Sequence, residues 1–403
     1  MTNLTPPTAD VRKLSARQFN LLVLGLLTVA VGQSFVFAIL PPLGREVDLS
    51  VVQINVMIAC SALVFSFASP SWGRLSDRLG RKPVIVTGLT GYAVGNLIFA
   101  LAFEVALERW ITGTGLFALL LAVRCAQSLV MSGTNPGCTA YTADHSAPQY
   151  RTRALARLGT ASSIGMIIGP VLAGALAGLG LLFPLYCATG LAALAAYIVW
   201  RYLPPSAAVS PHQKTRRKLS VFDPRLRLYL FCSFAGFTGF AGIQQTLAFR
   251  VQDMLSLSGT QTAQYTGLAL MVTALCTLTM QLTVAQRFQG PPITLIRAGL
   301  VFLLVGPLLI AIPGGFALVV VGMGCLGTGL GLAVPAIAAA ASLAVGPEEQ
   351  GGAAGLITAC PAAGFVIGPV VCGILYEVDP TLSAIGAALI LVSVVVTAFR
   401  PMR

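Results

Sequence analysis

A run of charged residues and glycines, GRLSDRLGRKP at residues 73–83, lies between two long apolar segments that carry no charge. Its aspartate, Asp77, can accept hydrogen bonds from the unpaired N–H groups at the start of a helix. Its arginines can pair with a carboxylate, and Gly73 and Gly80 allow a tight turn. We therefore predict a polar turn between two helices, equipped for ion pairing between parts of the fold.

The composition places this turn at the edge of a membrane. The chain of 403 residues is 56% hydrophobic and 9% charged, whereas an ordinary soluble domain has about 25% charged residues. A membrane-spanning helix needs roughly 20 apolar residues. Segments of this kind lie near residues 19–43, 52–73, 84–103, 111–134, 158–180, 182–203, 228–248, 263–285, 293–313, 315–343, 352–376 and 381–399. The predicted fold class is an all-α polytopic membrane protein with twelve transmembrane helices.

The distribution of basic residues predicts the orientation. The net charge is +12, and of the 25 Lys and Arg only Arg45, Arg109 and Arg250 fall in loops on one side, with Arg124 inside a span. All the others lie on the side of the two termini. Because basic residues concentrate in cytoplasmic loops, we predict cytoplasmic termini in the plasma (inner) membrane. The basic residues then set topology and attract membrane lipids, and no nucleic-acid partner is predicted.

A polar stretch and an internal repeat divide the chain. We predict an N-terminal six-helix bundle over residues 1–203, a cytoplasmic linker over 204–226 and a C-terminal six-helix bundle over 227–403. The sequence GMIIGPVLAG at 165–174 returns as GFVIGPVVCG at 364–373. Two copies of one unit predict pseudo-symmetric bundles with a substrate site between them.

The repeated segments carry the second structural signal. Glycines four residues apart let helix backbones approach closely, and proline bends a helix. The residues concerned are Gly165, Gly169, Pro170 and Gly174 in the fifth predicted span and Gly364, Gly368, Pro369 and Gly373 in the eleventh. Packing alone explains the glycines, and a hinge where the two halves meet is the functional interpretation.

Polar residues inside the spans are candidates for substrate binding or proton coupling. Arg124 lies 14 residues beyond Trp110, roughly 21 Å along a helix at 1.5 Å per residue, too far to reach the interface. An ionisable group at this depth indicates a functional site, and a structural arginine satisfied by carbonyls is the alternative. The other candidates, for which hydrogen bonding between helices is the alternative, are Gln33, Gln127, Gln244 and Gln245.

The positions of the acids narrow the function. None of the thirteen carboxylates lies near the centre of a predicted span. A cationic substrate is therefore disfavoured, and a neutral or anionic one is favoured with Arg124 as its partner. The proton carrier is left open, with Asp144 as the best acidic candidate. Two peripheral histidines and no facing carboxylates supply neither a catalytic nor a metal site, so we predict no enzyme activity, metal or cofactor.

Three motifs resemble those of one transporter family. Residues 73–83 resemble the signature G-x-L-a-D-r-x-G-r-k of the major facilitator superfamily, matched by Gly73, Leu75, Asp77, Arg78, Gly80, Arg81 and Lys82. Residues 165–174 are similar to the motif of its antiporter, or exporting, branch. Residues 120–127 resemble the start of its fourth-span motif, although Ser128 and Val130 replace the usual glycines. The chain looks like the twelve-helix drug and proton antiporters related to tetracycline efflux proteins.

The resemblance implies a monomeric secondary active transporter that exports a small drug or metabolite by alternating access, in exchange for protons. It implies that Asp77 caps the eleventh span near residues 351–355 and that Arg81 pairs with Asp144. With Gly73, Arg78 and Gly80 around them, these residues would latch the cytoplasmic side in the outward-facing state. An uncoupled facilitator or an importer of a small metabolite remains an alternative, and siderophore export is a subset of the main interpretation.

Overall fold

The computed structural model describes residues 15–146, 148–206, 219–346 and 349–400. Within these residues the chain is helical and forms no strand. The helices are α1 Ala16–Glu46, α2 Val51–Leu79, α3 Arg81–Leu107, α4 Gly113–Met131, α5 Thr134–Asp144, α6 Pro148–Ala177, α7 Phe183–Tyr202, α8 Arg227–Leu255, α9 Gly259–Met280, α10 Pro292–Ala311, α11 Phe316–Leu343, α12 Gln350–Val378 and α13 Pro380–Phe399. A π-helical turn, Gln281–Ala285, extends α9.

The helices give twelve passes through the bundle. Eleven spans of the described residues are long and apolar enough to cross a membrane, with α4 and α5 together forming one of them. Helix α8 falls outside this set because Gln244 and Gln245 lower its hydropathy, yet its 29 residues extend about 40 Å at 1.5 Å per residue. The predicted all-α polytopic fold is confirmed.

Several helices begin earlier than their apolar segments because polar residues cap them. Ser50 accepts a hydrogen bond from the backbone of Gln53, whose side chain accepts one from the backbone of Ser50. The same reciprocal arrangement starts α1 at Ser15 and α9 at Ser258. These capping boxes satisfy N–H groups that the first turn of a helix leaves without partners.

The fourth span differs from the prediction. Instead of one helix ending at residue 134, α4 stops at Met131 and α5 carries the chain on to Asp144. A Cβ at Gly133 would lie 3.0 Å from the Trp72 ring, and the Trp72 indole donates to the Leu129 carbonyl at 2.6 Å. The Trp72 indole thus occupies the space beside the bend. A side chain at position 133 would collide with it.

The predicted turn at residues 73–83 is also shorter than expected. Helix α2 runs to Leu79 and α3 begins at Arg81, so that Gly80 alone separates them. Its φ of +90° lies in the region that favours glycine. The prediction of a turn at Gly73 is wrong, because this residue lies inside α2.

We call α1–α7 and α8–α13 the two halves, following the predicted division. The first glycines of the repeated motif bring helices together within each half. A Cβ at Gly165 would lie 2.6 Å from Ala30 of α1, and one at Gly364 would lie 2.8 Å from the Thr238 backbone nitrogen of α8. One turn further on, Gly169 also packs against α1 and Gly368 also packs against α8. The buried Pro170 and Pro369 follow these two glycines.

Only the last glycine of each motif faces the other half. A Cβ at Gly174 would lie 3.1 Å from Gln264 of α9, and one at Gly373 would overlap the Asn55 side chain of α2. The expectation that the whole motif lies between the halves is therefore wrong for its first glycines, which pack inside a half. The hinge role of these bends stays a prediction.

The halves meet mainly at one end of the bundle. We call the end that holds the start of α1 and the end of α13 the terminal face, and the other end the opposite face. The ion pair and hydrogen bonds that join the halves between described residues lie at the opposite face. Toward the terminal face a Cβ at Gly355 of α12 would meet no atom within 4 Å, and Phe67 and Leu75 of α2 are exposed.

The predicted linker is described only at its edges. Its residues 207–218, with the basic run Lys214–Lys218, lie outside the described residues. After them, Arg225 bonds to Asp223 at 2.8 Å and to Glu349 at 2.9 Å, anchoring the chain beside α12. The hydrogen bonds from Arg225 hold the pKa of Asp223 below its ordinary value. The division at 203 and 227 stays a prediction.

The glycine contacts predict a sharp difference between two substitutions on α12. We expect Gly368→Ala to lower the free energy of unfolding by about 1–3 kcal/mol, because the new methyl group collides with α8 backbone. Gly355→Ala is the matched control, since open space surrounds it. The melting temperature of each purified variant is measured by heating samples and quantifying the remaining folded protein by size-exclusion chromatography. Equal melting temperatures would contradict this account of the packing.

Candidate transport site and latch residues

An arginine at the start of α3 is the centre of the charged cluster at the terminal face. The Arg81 side chain is 8% exposed, and its Nε donates to Asp144 Oδ2 at 2.9 Å. Its Nη1 donates to Ser76 Oγ at 2.7 Å and to the Asp77 carboxylate. Its backbone nitrogen donates to Ser206 Oγ at 3.0 Å. The expected contact between Arg81 and Asp144 is thus present, and the two serines have no signal in the sequence motif.

Among the described residues, Asp77 does not form the second expected latch contact. The Asp77 side chain is 48% exposed and its hydrogen bond among described residues goes to Arg81 in its own half, whereas we expected it near residues 351–355. The contact of Asp77 with the start of α12 stays a prediction for the outward-facing state. Arg78 is exposed.

The buried arginine of α4 lies in a polar cluster with α3. Arg124 is 2% exposed, and its Nη1 donates to Gln127 Oε1 at 2.5 Å. Its guanidinium stands 5.3 Å from the centroid of the Phe99 ring. The Gln127 amide donates to the Tyr92 carbonyl at 3.2 Å and to Asn96 Oδ1 at 3.1 Å. Gln127 is therefore a link between helices, as one of the two interpretations expected.

Several donors of this cluster lack partners. The Arg124 Nε, the Tyr92 hydroxyl and the Asn96 Nδ2 are buried without a hydrogen bond to any described residue. Helix α1 covers the cluster, since a Cβ at Gly32 would overlap the Tyr92 hydroxyl. A buried cation without an anion is costly, so the cluster is suited to an acceptor that brings oxygen atoms. Tyr92, Asn96 and Phe99 lie on one face of α3, but their spacing in the sequence does not show which helix that face meets.

The remaining glutamines have unused hydrogen-bonding capacity. The Oε1 atoms of Gln33 and Gln244, and both polar side-chain atoms of Gln245, are buried without partners among the described residues. The first lies on α1 and the other two lie on α8, in different halves. Hydrogen bonding between helices, the alternative interpretation, is therefore not formed by these atoms here.

An aromatic cluster joins the halves at mid-height, beside these glutamines. The rings of Phe37 on α1 and Phe365 on α12 stack with centroids 6.1 Å apart. Phe240 on α8 meets Phe365 edge-on at 6.4 Å. Because residues four apart share a helix face, Gln33 lies one turn from Phe37, and Gln244 one turn from Phe240. Amide and aromatic groups of both halves thus share the centre of the bundle.

Comparison with known proteins agrees with this architecture. Multidrug resistance protein 1 of Bacillus subtilis is 27% identical over 369 residues, covering 89% of this chain and 90% of that protein. Quinolone resistance protein NorA of Staphylococcus aureus is 24% identical over 386 residues, covering 93% and 94%. The solved structure of a mutant of the nucleoside transporter NupG superposes with a TM-score of 0.74 at 15% identity, covering 94% and 98%. A bacterial homologue of the human lysosomal transporter Spinster gives 0.75 at 17%, covering 97% and 95%.

The family assignment comes from a profile match over most of the sequence. The profile described as Major Facilitator Superfamily matches residues 22–369. That range includes the cluster of Arg81, the cluster of Arg124 and both glycine motifs up to Pro369. The solved transporters that superpose on the described helices share their fold. The chain belongs to the Major Facilitator Superfamily and is a multi-pass membrane transporter.

Proposed function

We propose that this transporter exports a small organic drug or metabolite across the plasma membrane in exchange for protons. The observation that carries the proposal is the buried Arg124, whose cluster has unused donors inside a bundle that is joined at one face. The similarity to Multidrug resistance protein 1 and to NorA supports export of drugs. The motif at residues 165–174 supports the antiporter branch.

The distribution of basic residues supports transport from the cytoplasm to the outside. With the terminal face in the cytoplasm, as the positive residues favour, the halves separate on the cytoplasmic side and the protein faces inward. A cargo then enters from the cytoplasm and passes between α2 and α12. Closing that side brings Asp77 toward the start of α12 in the outward-facing state.

The charges of the site favour a neutral or anionic cargo. Arg124 offers a cation in the membrane interior, and Tyr92 and Asn96 offer further donors to an oxygen acceptor. The aromatic cluster of Phe37, Phe240 and Phe365 offers ring faces to an aromatic cargo. Carboxylate compounds such as siderophores form one subset of such cargo.

An arginine substitution tests the cargo class. We expect Arg124→Gln to reduce proteoliposome flux of an aromatic carboxylate by roughly tenfold or more, because a hydrogen bond to a charged group contributes about 1.5–3 kcal/mol. Flux of the matching methyl ester should fall much less. The control is Arg109→Gln, which changes an exposed arginine. Unchanged flux of both compounds would remove Arg124 from the site, and equal losses would argue against an anionic cargo.

Proton coupling has its own measurement. We expect flux into proteoliposomes to rise when a pH gradient drives protons in the opposite direction, and to return to the uncoupled rate when a protonophore collapses the gradient. The reason is that an antiporter obtains its driving force from the proton gradient. Flux that is indifferent to the gradient would favour the uncoupled facilitator.

The cytoplasmic latch is testable through Asp77. We expect Asp77→Asn to change the free energy of unfolding by less than about 1 kcal/mol, because its pair with Arg81 is half-exposed. Transport should nevertheless fall, because the variant lacks the charge that stabilises the outward-facing state. Melting temperature and flux, measured on the same preparation, separate the two effects. Wild-type flux in this variant would contradict the latch.

A further inference from the structure

The ion pair that joins the halves lies at the opposite face. Arg45, in the last turn of α1, holds the carboxylate of Asp253 on α8 with both terminal nitrogens, one of them at 2.9 Å. Its Nη1 also donates to Gln252 Oε1 at 3.2 Å. The Tyr376 hydroxyl of α12 donates to Asp253 Oδ2 at 2.6 Å. One carboxylate therefore connects three helices from both halves.

A buried ring holds these groups in place. The Arg45 guanidinium stands 4.9 Å from the centroid of the Phe249 ring, and the same ring lies 5.9 Å from that of Tyr376. Phe249 is fully buried. The arginine and the tyrosine are thus oriented toward Asp253 by packing as well as by hydrogen bonding.

Two further acids cross between the halves beside this pair. Glu377 of α12 accepts a hydrogen bond at 2.9 Å from the backbone nitrogen of Val52, at the start of α2. Glu46 of α1 lies at the start of α9, where a Cβ on Gly259 would be 2.8 Å from its Oε1. The start of a helix attracts negative charge. Each half therefore places a carboxylate on a helix start of the other half.

We propose that Asp253 is a proton-binding group and that its protonation releases this outer latch of Arg45, Asp253 and Tyr376. The carboxylate side chain is 41% exposed, so protons reach it from the solvent at the opposite face. The groups that face it are Arg45 from α1, Tyr376 from α12 and Arg250 from its own helix. A neutral Asp253 loses its charge attraction to both arginines, and the closed arrangement of this face is weakened.

The proposal rests on the alternating-access cycle of the proposed function and adds a response to the outside medium. Because the proton binds and leaves on the same side, Asp253 regulates opening and does not carry the proton across. Because Arg45 and the Tyr376 hydroxyl stabilise the charged carboxylate, only a strongly acidic exterior would raise the population of the outward-open state. The Arg81 cluster at the terminal face differs, since its pair with Asp144 lies within one half.

Hydrogen exchange of the full chain in lipid nanodiscs, without cargo, tests the latch. Asp253→Asn imitates the protonated carboxylate. At one neutral pH we expect it to speed amide exchange roughly five- to tenfold at the ends of α1, α8 and α12. The control is Asp48→Asn, which breaks an exposed pair with Arg109 at the same face but inside one half. It should leave exchange in these segments unchanged.

A pH series completes the experiment. In the wild type, exchange at these segments, corrected for its intrinsic pH dependence, should rise on acidification, and in Asp253→Asn it should be fast at every pH. Wild-type exchange in Asp253→Asn, or an undiminished pH response, would overturn the proposal. If that variant does not fold, Tyr376→Phe decides instead: it should shift the response toward higher pH, and an unshifted response would overturn the proposal. Exchange needs no cargo, so failed export with an intact pH response would contradict only the proposed function.

Discussion

The near contact of helix backbones at α6 with α1, and at α12 with α8, is the constraint on which the arrangement of this protein depends. Gly165 and Gly364 leave no room for a side chain there, so each half packs as a unit around its own first helix. A membrane interior offers little hydrophobic drive for helix association, which gives such contacts more weight than they have in water. The final glycines, Gly174 and Gly373, then set how the two units approach each other.

The kind of partner that each arginine has depends on its depth in the bundle. At the terminal face Arg81 has two acidic partners in its own half, while at the opposite face Arg45 has its partner in the other half. Arg124, between them, has amide and aromatic neighbours among the described residues. Pairs near water are inexpensive to break and remake, and an isolated interior charge is not. Ion pairs near water therefore suit contacts that form and break, and an isolated interior charge suits a ligand-binding site.

The number of spans and their polar ends followed from composition, because hydropathy and charge act locally along the chain. The pairing of Arg81 with Asp144 was implied by the family resemblance instead. The bend at Gly133 was not predictable, since it depends on the indole of Trp72 from another helix. The partners of Gln127 were missed for a similar reason: Tyr92 and Asn96 on α3 accept its hydrogen bonds only when α3 lies against α4. Contacts that join distant segments are invisible to patterns read along one helix.

Gly80, the single residue between α2 and α3, restricts how these two helices can move relative to each other. Because a single residue connects the two helices, the end of α2 cannot move far without moving the start of α3. The same α3 carries Tyr92 and Asn96, which accept hydrogen bonds from Gln127 beside the interior arginine. Asp77 and the residues that contact Gln127 thus lie on two helices joined through one residue, and a longer joint at Gly80 would let these helices move more independently of each other.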